Sequence, residues 1–380
     1  MAAEARTTLD RRALNRAVLA RQLLLERSSM PVAAAVEHLG GLQAQTPHSW
    51  YAGLFGRLNG VTTEGIAARL SGRELVRIAL MRSTIHLVTA RDCHRLRPLV
   101  EPVHERSLAG NFGRNLSGVD RAELVAAGRA LLEAEPLTFN ALGGRLAETW
   151  PDNDAHSLSQ AARTWIPLVQ VPPRGLWGRS GPAAHVPAEH WLGRPDEDPF
   201  DLADLVRRYL GAFGPASVKD AQVWSGLTRL SAVFERLRPE LAVFADENGR
   251  ELFDLPEAPR PGADTPAPVR FLYDYDNLLL SHADRTRVQG DNRVARFFTK
   301  HGPVPGTVLI DGFTGAVWTV ERARGTAVLN VITPDALLPA RDADAVAAEG
   351  AALLRFIAPD AAHDVRFDVD VPVHPKRSGA

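Results

Sequence analysis

Helices closed by short strands recur three times along this chain, with a strand pair in the first and third rounds and a single strand and turn in the second. A proline-rich linker and a mostly stranded remainder follow. This predicts a fold that is mostly α with β: three tandem winged-helix domains and a C-terminal β-rich, barrel-like domain. Two observations carry the prediction. Apolar spacing switches from helical to alternating in each round. Residues 256–268 then hold five prolines and little apolar content, which marks a linker rather than a packed element.

The elements follow in order. Residues 10–27 read as a helix, with Leu14, Val18, Leu19 and Leu23 at helical spacing. Pro31 opens a second helix, which Gly40-Gly41 ends. A third covers 48–58 and stops at Asn59-Gly60. Thr62 caps a fourth, which runs to 70. Runs 74–80 and 84–88 alternate around Arg82-Ser83 and predict a strand pair. Helices followed by such a ribbon have the order of a helix-turn-helix with an appended wing. The second round has helices at 122–134, 139–149 and 158–166, a strand at 168–171, and the turn Pro172-Pro173-Arg174-Gly175. The third has helices at 202–213, 218–224 and 231–237, and strands 241–245 and 251–255 around Asn248-Gly249. Past the linker, 269–272, 307–310, 315–320 and 327–332 are strand-like, with a turn at Asp311-Gly312. A tight loop falls at 302–306, a helix at 336–356 and a last strand at 365–373. The rounds share element order and no residue-level identity. The expected boundaries are 1–112, 113–198, 199–258 and 259–380.

Composition narrows the class. With 380 residues, two to four domains are expected. The apolar fraction of 45% and charged fraction of 23% are those of a soluble globular protein. No apolar run approaches the roughly 18 residues of a membrane span, and residues 1–12 lack a secretory apolar region. A single cysteine, Cys93, excludes an intramolecular disulfide and a cysteine-rich metal site. A lone helical cysteine reads as a packed side chain. These features point to the cytoplasm. Net charge is −1, so no global field draws the chain to nucleic acid. The distribution is uneven, however: residues 1–120 carry 16 arginines and no lysine against 10 acidic residues. GC-rich coding accounts for that bias as readily as phosphate recognition does. Arginine alone still offers bidentate phosphate contacts and stacking.

The stretch Gly41-Leu42-Gln43-Ala44-Gln45 carries the chemistry. In extended chain, residues i and i+2 face the same way, so both carboxamides can enter one cavity. An amide is neutral and holds both donor and acceptor atoms. Such a pair can orient a water for a reaction whose leaving group is already activated. The alternative is that both glutamines satisfy backbone groups at a turn. Asp274-Tyr275-Asp276-Asn277 reads as a loop rather than a metal site, since no third carboxylate is placed beside it. Most of Trp165, Trp177, Trp191, Trp224 and Trp318 read as core rather than as base-stacking platforms. No phosphate-cradling or dinucleotide fingerprint occurs.

Five motifs in order resemble one family. They are Gly41-Leu42-Gln43-Ala44-Gln45, Met81-Arg82-Ser83-Thr84-Ile85-His86-Leu87-Val88, Pro173-Arg174-Gly175-Leu176-Trp177-Gly178, Phe213-Gly214-Pro215-Ala216-Ser217 and Leu280-Ser281-His282-Ala283-Asp284-Arg285. Together they resemble the AlkZ/YcaQ-like DNA glycosylases over about residues 10–370. The resemblance implies three tandem winged helices and a C-terminal β domain around a concave DNA channel. It implies monofunctional excision of N-alkylated purines, with Gln43 and Gln45 as catalytic residues and no cofactor or metal. Gln45, where other members have aspartate, resembles the AlkZ-like branch. That branch implies bulky N7-alkylguanine or its crosslinks as substrate and self-resistance to a DNA-alkylating natural product. The implied partner is double-stranded DNA bound by a monomer. Candidate DNA contacts are Arg82, Ser83, Thr84, His86, Arg174, Arg179, His282, Arg285 and Arg287, each of which also reads as a surface arginine or a local capping group. His86 alternates with Ile85 and Leu87, which favours a groove-facing or solvent role. Two rivals stand beside this reading: a winged-helix regulator that binds a DNA sequence, and a glycosylase for small alkylpurines.

Overall fold

The computed structural model describes residues 7–194, 199–291, 293–297 and 305–370. The first part of the expected loop at 302–306 and the end of the last expected strand, 371–373, lie outside the described residues.

Local capping sets the helices. The Asp10 side chain accepts from the Ala13 amide and opens α1 (Arg11–Arg21). That helix ends earlier than its spacing predicts because Leu23 turns to a φ of 58°, which apolar spacing cannot register. Next come α2 (Val32–His38) and α3 (Ser49–Phe55). Then α4 (Thr63–Ser71) is capped by the Thr62 hydroxyl on Gly65. The strand pair is present as β3 (Leu75–Ala79) and β4 (Ile85–Thr89). Two helices that the spacing did not delimit follow it, α5 (Ala90–Leu99) and α6 (Glu101–Asn111). Cys93 on α5 is buried, and burial pushes its thiol up to about 12. The second round gives α7 (Arg121–Ala134), α8 (Phe139–Ala147), α9 (Ala155–Trp165) and β6 (Leu168–Gln170). It adds β7 (Ala184–Pro187) and α10 (Ala188–Leu192). The third gives α11 (Leu202–Phe213), α12 (Val218–Ser225), α13 (Ser231–Leu237), β8 (Ala242–Asp246) and β9 (Glu251–Asp254).

Three sheets tie these segments together. Two-residue strands β2 (Leu42–Gln43) and β5 (Leu137–Thr138) complete a six-stranded sheet of order β2-β4-β3-β6-β7-β5. The first two rounds therefore share one sheet. Strand β1 (Thr8–Leu9) joins β8 in parallel, so the N-terminal segment reaches the third round.

The C-terminal segment forms β10 (Arg270–Leu272), the short α14 (Thr286–Gln289), β11 (Gly306–Ile310), β12 (Phe313–Ala323), β13 (Thr326–Pro334), α15 (Ala340–Ile357) and β14 (Ala362–Asp370). Its sheet runs β10-β11-β12-β13-β14 and is open, which corrects the barrel-like expectation. The reason is connectivity. Strands β13 and β14 pair in parallel, and a parallel pair needs a crossover. Helix α15 supplies it, packing Leu353 and Leu354 into the core beside Leu329 and Val331. Helix α15 covers the sheet, and among the described residues β10 and β14 stay at its two edges without pairing to each other.

The apolar clusters place distant residues together. Val18 and Leu19 of α1 pack with Tyr209, Phe213 and Trp224 of the third round. Val36, Trp50 and Tyr51 pack instead with Phe271, Tyr273 and the C-terminal sheet. Helices α7–α9 keep their own cluster around Leu124, Leu142 and Leu158. The first round thus sits between the third round and the C-terminal sheet, and the glutamine stretch lies at that seam.

Candidate active site

Helix α2 ends at Gly40 and Gly41, both left-handed at φ 68° and 83°. Gly41 is required twice over, since a Cβ there would also stand 2.9 Å from the Val88 side chain. The chain then enters β2, pairing Leu42 with Leu87 and Gln43 with His86. Leu42 and Ala44 are buried, and the Ala44 amide donates to the Ile85 carbonyl at 2.7 Å. These anchors fix the backbone that carries both glutamines.

The two carboxamides differ in surroundings but share one polarity. Gln43 is buried, and its Oε1 accepts from Arg82 Nη2 at 2.6 Å. Gln45 is exposed, in a bend beyond the strand, and its Oε1 accepts from the Ile85 amide at 2.9 Å. Because both partners can only donate, the amide oxygens must face them. Each oxygen keeps one lone pair. Neither Nε2 has a hydrogen-bond partner among the described residues. The backbone-satisfying alternative therefore describes only the Gln45 oxygen, since Gln43 meets a side chain, and both NH₂ groups are left available.

Arg82 is the centre of this arrangement. It follows β3 in a loop where both Arg82 and Ser83 are left-handed, at φ 56° and 58°. Its Nη1 donates to the Trp224 carbonyl, and its Nη2 also lies 3.5 Å from Asn277 Oδ1. Asn277 Nδ2 donates to the Gly41 carbonyl at 2.9 Å. All of these acceptors are neutral. Burial, aided by repulsion from Arg285, lowers the Arg82 guanidinium to about 10, so it stays charged at neutral pH. Below the strand, the buried Arg77 donates to the Ala44 carbonyl at 2.7 Å, and its Nε and Nη1 have no partner among the described residues. Burial, then Arg174, lowers Arg77 to about 10 as well.

The other candidates separate into two groups. Arg174 is half-buried and donates to the Gly181 carbonyl at 3.1 Å, while Arg179 and Arg285 are exposed. Ser83 and Thr84 are half-buried. Ser83 accepts from Arg163 at its carbonyl and hydroxyl, 2.7 and 3.2 Å, and the Thr84 hydroxyl donates to the Met81 carbonyl.

One expectation is corrected, and two further candidates lie buried. His86 does not face a groove: it is fully buried, with Nδ1 on the Thr84 carbonyl at 2.9 Å. Alternation placed it opposite Leu87, but both faces of β4 are covered. Burial, then Arg82, pushes its imidazole down to about 3. His282 is buried against Phe213, with Nε2 on its carbonyl at 3.0 Å. Arg287 is buried and donates to the Pro215 carbonyl at 2.8 Å. These last two hold the third round to the C-terminal segment.

Three supporting residues escaped the sequence reading. Arg77 had a signal, a lone charge inside the apolar run of β3. Asp276 and Asn277 read from the sequence only as part of a loop. Asp276 is instead a buried partner of Arg57, with hydrogen bonds of 2.8 and 2.9 Å. Among the described residues, no group of three or more His, Cys, Asp or Glu side chains could hold a metal. No described helix is long and apolar enough to cross a membrane. Trp224 is core, and Trp165, Trp177, Trp191 and Trp318 pack partly buried against the clusters.

Among the described residues, the paired amides thus lie without a carboxylate partner beside two arginines whose contacts are all to neutral protein oxygens. Residues 36–356 match the family described as DNA glycosylase AlkZ-like, and the chain belongs to that family of DNA glycosylases. No curated protein matches. The fold is similar to that of Streptomyces sahachiroi DNA glycosylase AlkZ, with a TM-score of 0.77 and 20% identity over 95% of this chain and 100% of that one.

Proposed function

We propose that this glycosylase hydrolyses the N-glycosidic bond of bulky N-alkylpurines, N7-alkylguanine and its crosslinks in particular, in double-stranded DNA. In this reading it acts as a cytoplasmic monomer and protects a cell exposed to a DNA-alkylating natural product. Its segments 1–112, 113–198 and 199–258 are three winged helices that, with 259–380, border a concave DNA channel.

The observation that supports the chemistry is the polarity of the two amides. An N7-alkylguanine is cationic and leaves as a neutral base, so it needs no general acid. The N9–C1′ bond breaks with its electron pair going to the base, and C1′ becomes oxocarbenium-like. A water that accepts from the Gln43 Nε2–H and donates to the spare lone pair of Gln45 Oε1 keeps one lone pair for C1′. Its proton passes to solvent once the C1′–O bond has formed. Neither amide is a strong base, so the rate depends on the lability of the adduct. Arg174, Arg179 and Arg285 are the candidates that remain open to phosphates.

The test is single-turnover release from a duplex holding one bulky N7-alkylguanine, with wild type and Gln45→Ala compared. Release by wild type, with a large loss in the variant and unchanged DNA binding, is expected. Faster release of 7-methylguanine than of the bulky adduct would assign the small-lesion role instead. No release, with tight binding to one undamaged sequence, would overturn the reading and leave a regulator.

A further inference from the structure

We infer that Arg82 is a positioning residue of the active site, which locks the Gln43 carboxamide so that its NH₂ faces the reacting centre, and is not a phosphate contact. The inference rests on the proposed role of Gln43 and goes beyond it by assigning the group that orients it.

Three observations carry it. First, both terminal nitrogens of the guanidinium are engaged by protein oxygens. Nη1 is on the Trp224 carbonyl, and Nη2 is on Gln43 Oε1 at 2.6 Å and near Asn277 Oδ1 at 3.5 Å. A phosphate would have to displace protein oxygens to reach these faces. Second, the Gln43 amide is symmetric in shape and can rotate by half a turn unless a neighbour distinguishes oxygen from nitrogen. Arg82 only donates, so it accepts one orientation alone. It is also cationic, and a charged donor on the amide oxygen makes the opposite N–H a stronger donor. Third, Arg82 is itself held by parts of the chain far apart in sequence. Asn277 links it to the Gly41 carbonyl at the entry of β2. Arg163 grips the next residue, Ser83, at both carbonyl and hydroxyl. Gly226, at the end of α12, approaches so closely that a Cβ there would stand 3.2 Å from the Arg82 backbone nitrogen. Two consecutive left-handed residues are a conformation that persists only where the surroundings impose it.

The first readout needs no substrate. The Gln43 side-chain NH₂ resonances, assigned by their loss in Gln43→Ala, should shift and broaden in Arg82→Met. Unchanged resonances would overturn the inference. The second readout is the single-turnover rate at saturating enzyme. Arg82→Met should lower it by about tenfold or more, with the Kd for lesion DNA moved less than about twofold. Combined with Gln43→Ala, it should add no further loss, because it acts through that side chain. A full rate with weakened binding and a salt slope smaller by about one would mean a phosphate contact and overturn the inference. If Arg82→Met does not fold, Asn277→Ala serves, since it leaves Arg82 in place. It should shift the same resonances and lower the same rate by about threefold or more, and no change in either would refute the network. Wild type that releases no base would refute the proposed function alone, and the resonances would still decide the role of Arg82.

Discussion

Lowering the pH from about 7 to about 5 should destabilise this protein far more than its near-neutral net charge suggests. The cause is four imidazoles, His86, His104, His185 and His282, all buried. Burial pushes each down to about 3, with added repulsion from Arg82 on His86, from Arg97 on His104 and from Arg287 on His282. In the unfolded chain each returns to about 6.5. The folded pKa is depressed, so the stabilisation is fully present above 6.5 and is lost as pH falls toward 3. At pH 5 the unfolded state gains about 2 kcal/mol per histidine from protonation, or about 8 kcal/mol for the four. A whole domain is stable by about 5–15 kcal/mol. Asp92 opposes this, because burial raises its carboxyl despite Arg208, but it is one group against four. Urea unfolding followed by tryptophan fluorescence at the two pH values measures the difference. His185→Phe is the control. That ring stacks on Phe139 at 4.0 Å, and neither of its nitrogens has a well-formed hydrogen bond among the described residues. The variant should hold its stability at pH 7 and lose about 2 kcal/mol less on acidification. A wild-type loss under about 2 kcal/mol, one histidine's share, would refute the reasoning.

Asp276→Asn should cost about 3–5 kcal/mol in urea unfolding, because it leaves Arg57 buried without its counter-charge. A cost below about 1 kcal/mol would mean the pair is solvated. Gly41→Ala should lose about 1–3 kcal/mol, from the left-handed φ and the contact with Val88, and should lose excision rate beyond that cost. Arg179→Ala and Arg285→Ala should weaken binding to any duplex, each lowering the salt slope by about one, as salt titrations would read. Arg287→Ala should reduce stability and leave the salt slope alone. The excision rate should be flat between about pH 6 and 8, since the amides do not titrate and His86 stays neutral. A bell-shaped profile would require a base that the motif does not contain.

Elements with both a clear spacing and a cap were legible. Helix α11 spans the predicted residues, and its Asp201–Asp204 capping box marks the start. Strands β2 and β5 were not, because two residues have no period. Yet β2 is the element that sets Gln43 beside β4. The barrel was not legible because strand propensity places strands without pairing their edges, and only the strand order shows that β10 and β14 do not meet. At the site, residue type was readable and partnership was not. Arg82, Trp224 and Asn277 meet around Gln43 from three parts of the chain. A single sequence carries no sign of such a meeting. His86 shows the same limit from another side. Alternation correctly set it opposite Leu87, but that argument equates the opposite face with solvent only in a sheet covered on one side.

The charge around the motif bears on substrate choice. Arg82 and Arg77 both reach the glutamine stretch, one at a side-chain oxygen and the other at the Ala44 carbonyl, and neither contact is balanced by a carboxylate. Fixed cations cannot stabilise positive charge that develops on the sugar. On the proposed reading such a site exerts little electrostatic pull on the oxocarbenium, and the driving force comes from the leaving group. A cationic alkylpurine supplies it by departing neutral, and an unmodified purine does not. On that reading an aspartate at position 45 would place negative charge beside the sugar, and Gln45 withholds it. Substituting Gln45→Asp should therefore extend release toward less labile adducts relative to bulky N7-alkylguanine. Paired single-turnover rates on the two substrates test this, and an unchanged ratio would show that the amide is not what limits the range.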